Sequence, residues 1–559
     1  MNAGETTLET IFEGVKQYII PLFQRTYSWK PKHWDTLWDD LMDLYDTDDK
    51  RIHFMGAMVT MPVEMSPHGI NKYLLIDGQQ RLTTLFILLA LIRDLAPALA
   101  EQTNELYVVN KWGKGVNRYK LLPSQTDQKV FARIIDQKEF EETSEIARAY
   151  HFFRKEMQRK RPDGQSLDLE RLRTIVLKNL MVVSIVLDDG ENPYLIFESL
   201  NGKGEPLTQA DLVRNYIFLR IPEDDQQEAY QELWRPMEVQ LGGHLSDFFW
   251  RYLTKDGTYY RQNTIYDAVK NRLASLTAEG VVDELLDIRA YSDYYQRLVA
   301  PSHEPNPAIQ RRLHRINRWE INTAYPFLLK IYDDYEHGRL SVSDVCKILD
   351  AIESYVVRRF FCRVPTNALN RNFIALYGRL KKENMVASVV ETLAGQNWPS
   401  DEDFLSSWQK FPIYSSGTAK CRHILESLEQ AQNSNHEPVD VTHSRITIEH
   451  VMPQQLNETW ESELGPEAAT IHAQYLHTIG NLSLTGMNES MGNSPFAEKK
   501  KVFVDSNFAL NKYFGPCDKW DEESIHNRAV ALGNLALDIW KRPDIIAPSS
   551  NADDPTGSK

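Results

Sequence analysis

Three observations predict a multidomain α+β protein. The chain has 559 residues, more than one hydrophobic core organises, so two to four domains are expected. Strand-like runs mixed with helical ones occupy both ends. Between them, residues 207–397 read as almost wholly helical, with short breaks at Pro222, Pro301 and Pro305. The composition is that of a globular chain, with 12 Trp, 25 Tyr and 22 Phe to fill interiors. No internal repeat is visible.

The N-terminal elements follow in order. Residues 7–15 read as a short helix and residues 18–23 as an apolar strand running into Gln24-Arg25-Thr-Tyr27-Ser-Trp29. After Pro31, the apolar residues Trp34, Leu37, Trp38, Leu41 and Tyr45 recur at helical spacing, which marks a core-facing helix. Residues 54–60 form a strand containing Gly56. Then Tyr73-Leu-Leu-Ile-Asp77-Gly78-Gln79-Gln80-Arg81 reads as a strand that turns at Asp-Gly into a helix over 82–95. Residues 104–164 are mainly helical, and the unbroken apolar run over 180–187 predicts a buried strand.

A strand–turn–helix junction bent at glycine offers backbone N–H groups and a positive dipole end to an anion. Asp77 suits a cation or a ribose hydroxyl, and the Arg81 guanidinium can fork onto phosphate oxygens. Arg25, at the end of another strand, is placed to approach the same point. An Asp-Gly turn without a ligand is the common alternative, and no Walker-type loop is present.

The chemistry is most legible over residues 445–501. Ile446-Thr-Ile-Glu449-His450-Val-Met-Pro453 alternates as a strand closed by proline, and Ile479-Gly-Asn481-Leu-Ser-Leu-Thr485 reads as a second strand. A polar turn through Asn488 and Asn493 leads to a helix announced by Ser494 as cap and Pro495 at its first position. Strand, strand, helix, with His on the first strand and Asn on the second and on the turn, is the layout of a ββα-metal nuclease. Phosphodiester hydrolysis needs a base for water, a cation against phosphorane charge, and a scaffold for both. His472 and His477 read as helix-face or packing residues in the insertion between the strands. A helix over 418–432 precedes this region, residues 433–444 are a polar connection, and residues 521–540 form a final helix.

The formal net charge of −15 excludes a chain that coats nucleic acid over its whole surface, though not a local positive groove. Arg311-Arg-Leu-His-Arg-Ile-Asn-Arg318 and the basic residues between Arg358 and Lys382 offer one, with solvated helix faces as the equal alternative. For Arg358 and Arg359, phosphate contact and pairing with nearby acids are equally open. Cys346, Cys362, Cys421 and Cys517 are too widely spaced for a zinc knuckle or disulfide framework, which predicts reduced thiols. No apolar run reaches membrane-spanning length and the N-terminus lacks a secretory pattern, so a cytoplasmic protein is expected.

The C-terminal motifs resemble the His-Asn-His (HNH, His-Me finger) nucleases. More closely, Glu-His-Val-Met-Pro-Gln, Ile-Gly-Asn-Leu-Ser-Leu and Asn-Ser-Pro-Phe-Ala-Glu-Lys-Lys resemble the C-terminal domain of the GmrSD-type modification-dependent restriction enzymes. The resemblance implies His450 as general base, Asn481 as a brace of the loop, and Asn488 as a metal ligand, with Asn493 as the alternative. It places Glu449 where related nucleases carry a metal-binding Asp, and Lys499 and Lys500 at the scissile phosphate. Ile20-Pro-Leu-Phe-Gln-Arg-Thr-Tyr-Ser-Trp29, Leu75-Ile-Asp-Gly-Gln-Gln-Arg-Leu-Thr-Thr84 and the block from Ile196 to Leu212 resemble the GmrS-like N-terminal domain. That domain is similar to the ParB/sulfiredoxin fold, and the resemblance implies a nucleotide site at Gln24, Arg25, Asp77, Gly78, Gln80, Arg81 and Asn201, with Lys203.

The expected organisation is therefore a nucleotide-binding domain over 1–220, a helical linker or lever over 221–397, an HNH nuclease domain over 398–545, and a disordered tail over 546–559. The expected function is that of a single-polypeptide fusion of the two GmrSD functions, as in BrxU-type phage-defence enzymes. Such a type IV restriction endonuclease binds an NTP (ATP, GTP or another) and uses Mg²⁺ or Mn²⁺. It cleaves modified double-stranded foreign DNA, for instance DNA carrying hydroxymethylated or glucosylated cytosine. One such site cuts one strand, so double-strand breaks require a homodimer or two nicks. Two rival readings are a nucleotide-switched ParB-like DNA-binding protein that does not cut, and a phosphorothioate-sensing nickase.

Overall fold

A computed structural model of the chain describes residues 2–22, 24–47, 51–66, 69–188, 208–432, 445–486 and 491–543. Its contacts divide it into two units, Met1–Ser246 with Asn263–Asp287, and Asp247–Gln262 with Ile288–Lys559. Residues 221–397 are shared between the two. Helices and a mixed sheet make the protein α+β, as the sequence predicts.

The first unit is built on strands β1 (Asn2–Thr7), β2 (Lys16–Ile19), β3 (His53–Glu64), β4 (Asn71–Asp77), β5 (Leu121–Leu122) and β6 (Leu180–Val186), in the order β1-β6-β3-β4-β2-β5. Because β2 runs parallel to both β4 and β5, the segments leaving these three strands emerge at one edge of the sheet. Side chains alternate across the pleat. Leu75, Met58 and Val182 face a large core, while Ile76, Val59 and Ile185 join a smaller cluster on the other side. Helix α1 (Leu8–Phe12), helix α2 (Pro31–Asp46) and helix α3 (Gln79–Leu95) contribute to the large core. Every residue of α3 from Leu82 to Arg93 is buried, as an all-round apolar helix requires. Among the described residues, no single helix is long and apolar enough to cross a membrane.

Two strand expectations change. The apolar run of β6 predicts burial throughout, yet its residues alternate between buried and half-buried, since only a small cluster covers the second face. Polar β1 gives no apolar signal. It forms by pairing its backbone along the edge of β6, from Asn2 opposite Val186 to Thr7 opposite Met181.

The second unit is largely helical and holds one two-stranded antiparallel sheet, β7 (Thr447–His450) with β8 (Leu482–Thr485), in which Glu449 opposes Ser483 and His450 opposes Leu482. Helices Glu458–Leu464 and Ala468–Tyr475 fill the connection. Helix Phe496–Asp505 follows β8, with Pro495 as its N-cap one residue later than predicted. Val451, Met452, Trp460, Phe496, Phe514 and Trp520 form a core against these elements.

The basic stretches of this unit divide: Arg363, Arg371, Arg379, Lys381 and Lys382 are exposed, whereas Arg358 and Arg359 turn inward. Arg358 is fully buried, pairs with Asp401 at 2.6 Å and donates to the Trp540 carbonyl at 2.7 Å. Arg359 donates to the carbonyls of Gln396, Asn397 and Pro365. Neither is therefore placed to meet a phosphate. Arg312, Arg315 and Arg318 pair with Asp350, Glu353 and Glu426. The four cysteines are free thiols.

Candidate active site and a second polar cluster

His450 ends β7 and is only 4% exposed. Its two ring nitrogens face different partners. Nε2 lies 3.2 Å from His477 Nδ1, and Nδ1 lies 3.4 Å from Nε2 of the exposed Gln454. The Tyr414 ring meets the imidazole edge-on at 4.5 Å between centroids and stacks on His477 at 5.4 Å. Burial first, then the nearby His477, Lys499 and His472, pushes the His450 pKa down to about 3. The ring is consequently neutral at physiological pH, with a lone pair free on one nitrogen, and the lowered pKa makes it a weaker base than a free imidazole.

Asn481 clamps the chain just after His450. Its Oδ1 accepts from Met452 N at 2.7 Å and from Trp520 Nε1 at 3.1 Å, and its Nδ2 donates to the carbonyls of Met452 and Leu476, both at 3.0 Å. The residue is fully buried, so all four bonds are shielded from water. Residues 479–481, predicted to be strand, form a 3₁₀ turn instead. Gly480 lies so close to the final helix Glu522–Ile539 that a Cβ there would stand 2.3 Å from the Ile525 carbonyl oxygen. From that helix the buried Arg528 donates to the carbonyls of Gly480 and Leu482 at 2.9 and 2.6 Å.

Glu449 and Lys499 come together differently from their predicted roles. Lys499 Nζ donates to Glu449 Oε1 at 2.5 Å and to the His450 carbonyl at 2.8 Å, and Lys499 is 1% exposed. Its ammonium is an internal tie between helix Phe496–Asp505 and β7, turned away from any solvent-borne phosphate. Burial pushes the Glu449 carboxyl up and the Lys499 ammonium down, each against the pull of its partner. Lys500 donates to the Cys517 carbonyl at 2.7 Å. Asn488 lies outside the described residues. Asn493, the alternative ligand, gives its backbone carbonyl to Asn457 Nδ2 at 3.1 Å.

The second cluster lies at the edge where β2, β4 and β5 end. Gly78 caps α3 with a left-handed φ of 95°, which glycine adopts without strain. Arg81, one turn into α3, donates to the Met55 carbonyl at 2.6 Å and meets Asp77 at 3.3 Å; both side chains are about a quarter exposed. Two amides lace the incoming loop to this junction. Gln24 Nε2 donates to the Ile76 carbonyl, while Gln80 accepts from Ser28 N and donates to the Thr26 carbonyl. Tyr27 adds its hydroxyl to Thr84 and its N–H to Asp127. Gln24, Asp77, Gly78, Gln80 and Arg81 are thus brought together, and Arg25 follows Gln24 on the same loop, partly buried. Asn201 and Lys203 lie outside the described residues.

The sequence does not single out Tyr414 or Gln454, and His477, expected to be a helix-face or packing residue, stands against the His450 ring. Gln454 was within reach, four residues after His450, but Tyr414 precedes the motif and carries no motif signal of its own. His472, read as a packing residue, meets the Pro453 carbonyl through Nε2 at 2.9 Å.

Comparison with protein families matches residues 8–218 to the GmrSD restriction endonuclease N-terminal domain and residues 398–535 to the GmrSD restriction endonucleases C-terminal domain. Comparison with curated proteins gives no match. The first match contains the Asp77–Arg81 junction and the second contains the His450 site. With both domains in one polypeptide, the chain belongs to the GmrSD-type restriction endonucleases.

Proposed function

We propose that the protein is a type IV enzyme of cytoplasmic phage defence that cleaves modified double-stranded DNA, such as DNA with hydroxymethylated or glucosylated cytosine, with NTP binding in the first unit licensing an HNH-type cut in the second. The observation that carries the nuclease assignment is His450, buried and neutral at the end of a β-hairpin that Asn481 and Arg528 hold in register. In the proposed reaction a water gives its proton to His450 as its oxygen bonds to phosphorus, and the leaving oxygen departs with its bonding pair. Asn481 keeps residues 450–452 from shifting away from the attack position.

A divalent cation, Mg²⁺ or Mn²⁺, would supply charge stabilisation to the phosphorane. The described residues do not fit a complete cation site. They hold no group of three His, Cys, Asp or Glu that could bind one, and the Glu449 carboxylate is engaged with Lys499. The cation therefore enters the proposal on the family resemblance, with Asn488 as ligand, and no step is routed through it.

For the nucleotide, Asp77, Gly78 and Arg81 offer a carboxylate, a helix N-terminus and a guanidinium at one edge of the six-stranded sheet, beside Arg25. Gln24 and Gln80 shape that edge by tying the loop to the strand. Asn201 and Lys203 join the assignment from the resemblance, as does a homodimer for double-strand breaks.

The test is cleavage of modified phage DNA and its unmodified counterpart, with Mg²⁺ or Mn²⁺ or chelator, with and without NTP, beside His450→Ala. Selective cutting that is lost in the variant supports the whole reading. Equal cutting of both DNAs retains the nuclease and removes the modification sensor. No cutting under any condition leaves a DNA-binding protein.

A further inference from the structure

We infer that His477 is a positioning residue for the proposed reaction, its Nδ1 accepting from His450 Nε2–H and thereby fixing the tautomer that leaves His450 Nδ1 as the proton acceptor. The inference rests on the nuclease reading above and deepens it. Both nitrogens of His450 have neighbours, and their chemistry separates the two tautomers. Gln454 presents its side-chain amide to Nδ1 at 3.4 Å, and in the orientation with its nitrogen toward the ring the amide donates and Nδ1 carries the lone pair. Nε2 then carries the hydrogen and points at His477 Nδ1, 3.2 Å away. The opposite tautomer would set one N–H against another at Gln454 and direct the basic lone pair away from that exposed side chain.

His477 is itself held in place. Tyr414 N donates to its carbonyl at 3.2 Å, and the Tyr414 ring stacks on the His477 ring with 15° between planes while standing at 77° to the His450 ring. Three rings from different parts of the second unit therefore fix the plane of the base. In the reaction, the attacking water takes the place of the Gln454 amide at Nδ1 and passes its proton there. The imidazolium that forms keeps its Nε2–H on His477, a bond that strengthens as positive charge develops.

The experiment uses the full chain with two variants. His477→Phe keeps a ring against Tyr414 and removes the acceptor, whereas His477→Asn restores an oxygen acceptor close to the Nδ1 position. Single-turnover cleavage of the modified phage DNA is expected to slow on the order of tenfold or more in His477→Phe, with DNA affinity unchanged, and to recover largely in His477→Asn. Wild-type rate in the Phe variant, or an Asn variant no faster than it, overturns the inference. Should the wild type cut nothing, the nuclease reading fails by itself. Histidine-selective ¹⁵N NMR then decides the pair: the Nε2–H form at His450 supports it and the Nδ1–H form overturns it. The wild-type spectrum also decides if the Phe variant does not fold.

Discussion

Asn481 shows how much one buried amide contributes at residue scale. Asn481→Ala leaves Met452 N, Trp520 Nε1 and two carbonyls without partners in a site that excludes water. Buried groups left unsatisfied cost roughly 1–3 kcal/mol each before relaxation. We expect a loss of about 3 kcal/mol in the stability of the second unit, read as a lower urea midpoint. Loss of cleavage at unchanged stability would contradict this structural role. His450 carries a separate prediction in pH. Its folded pKa of about 3 lies below the ordinary histidine value, so between pH 6.5 and 3 the unfolded chain binds the proton and the folded chain does not. Stability is then full above pH 6.5 and falls with acidification through that window, by up to about 1.4 kcal/mol per pH unit. The same direction holds for His477, lowered first by burial. His450→Asn is expected to flatten the urea-midpoint profile over that range, and an unchanged slope would contradict the assignment.

At the scale of elements, the final helix decides whether the hairpin is a site. Helix Glu522–Ile539 approaches the 479–481 turn so closely that only a hydrogen fits at Gly480. Gly480→Ala sets a methyl against a backbone carbonyl, which no side-chain rotation relieves. The expected outcome is a helix pushed off the hairpin, a loss of about 2–3 kcal/mol and a large fall in cleavage. Hydrogen exchange across β8 and that helix checks it, and unchanged protection would show that the two elements separate without cost. The contact was not legible in the sequence. Ile-Gly-Asn reads as strand by its apolar residues, and the close approach of a helix more than forty residues later has no local signature. Arg528 is illegible for the same reason, since an arginine among apolar helix residues does not announce the carbonyls it will meet.

For the whole molecule, the proposed function assigns nucleotide binding to one unit and cutting to the other, and variants should separate them. Arg81→Ala is expected to abolish nucleotide binding while leaving the thermal transition of the second unit in place, because the side chain bonds within the first unit, to the Met55 carbonyl on β3 and to Asp77 at the end of β4. His450→Ala should abolish cutting while nucleotide binding persists. Calorimetry with nucleotide titration of both variants tests this. Loss of both functions in either variant would show that the units act as one.

Much of this protein is determined by the sequence alone. The α+β class, the helical middle, α2, α3, the strands around Asp77 and the hairpin of His450 follow from apolar periodicity and turn chemistry, which are local properties of the chain. The family follows from ordered motif blocks. Tertiary structure decided the rest: which polar residues turn inward and which nitrogen of a histidine faces what. Lys499, Arg358 and Arg359 look like phosphate ligands in one dimension because charge in a sequence carries no direction. Their burial beside Glu449, Asp401 and backbone carbonyls depends on packing among distant helices. His477 lies twenty-seven positions from His450 in the chain, and only the antiparallel pairing of β7 with β8 brings their rings together.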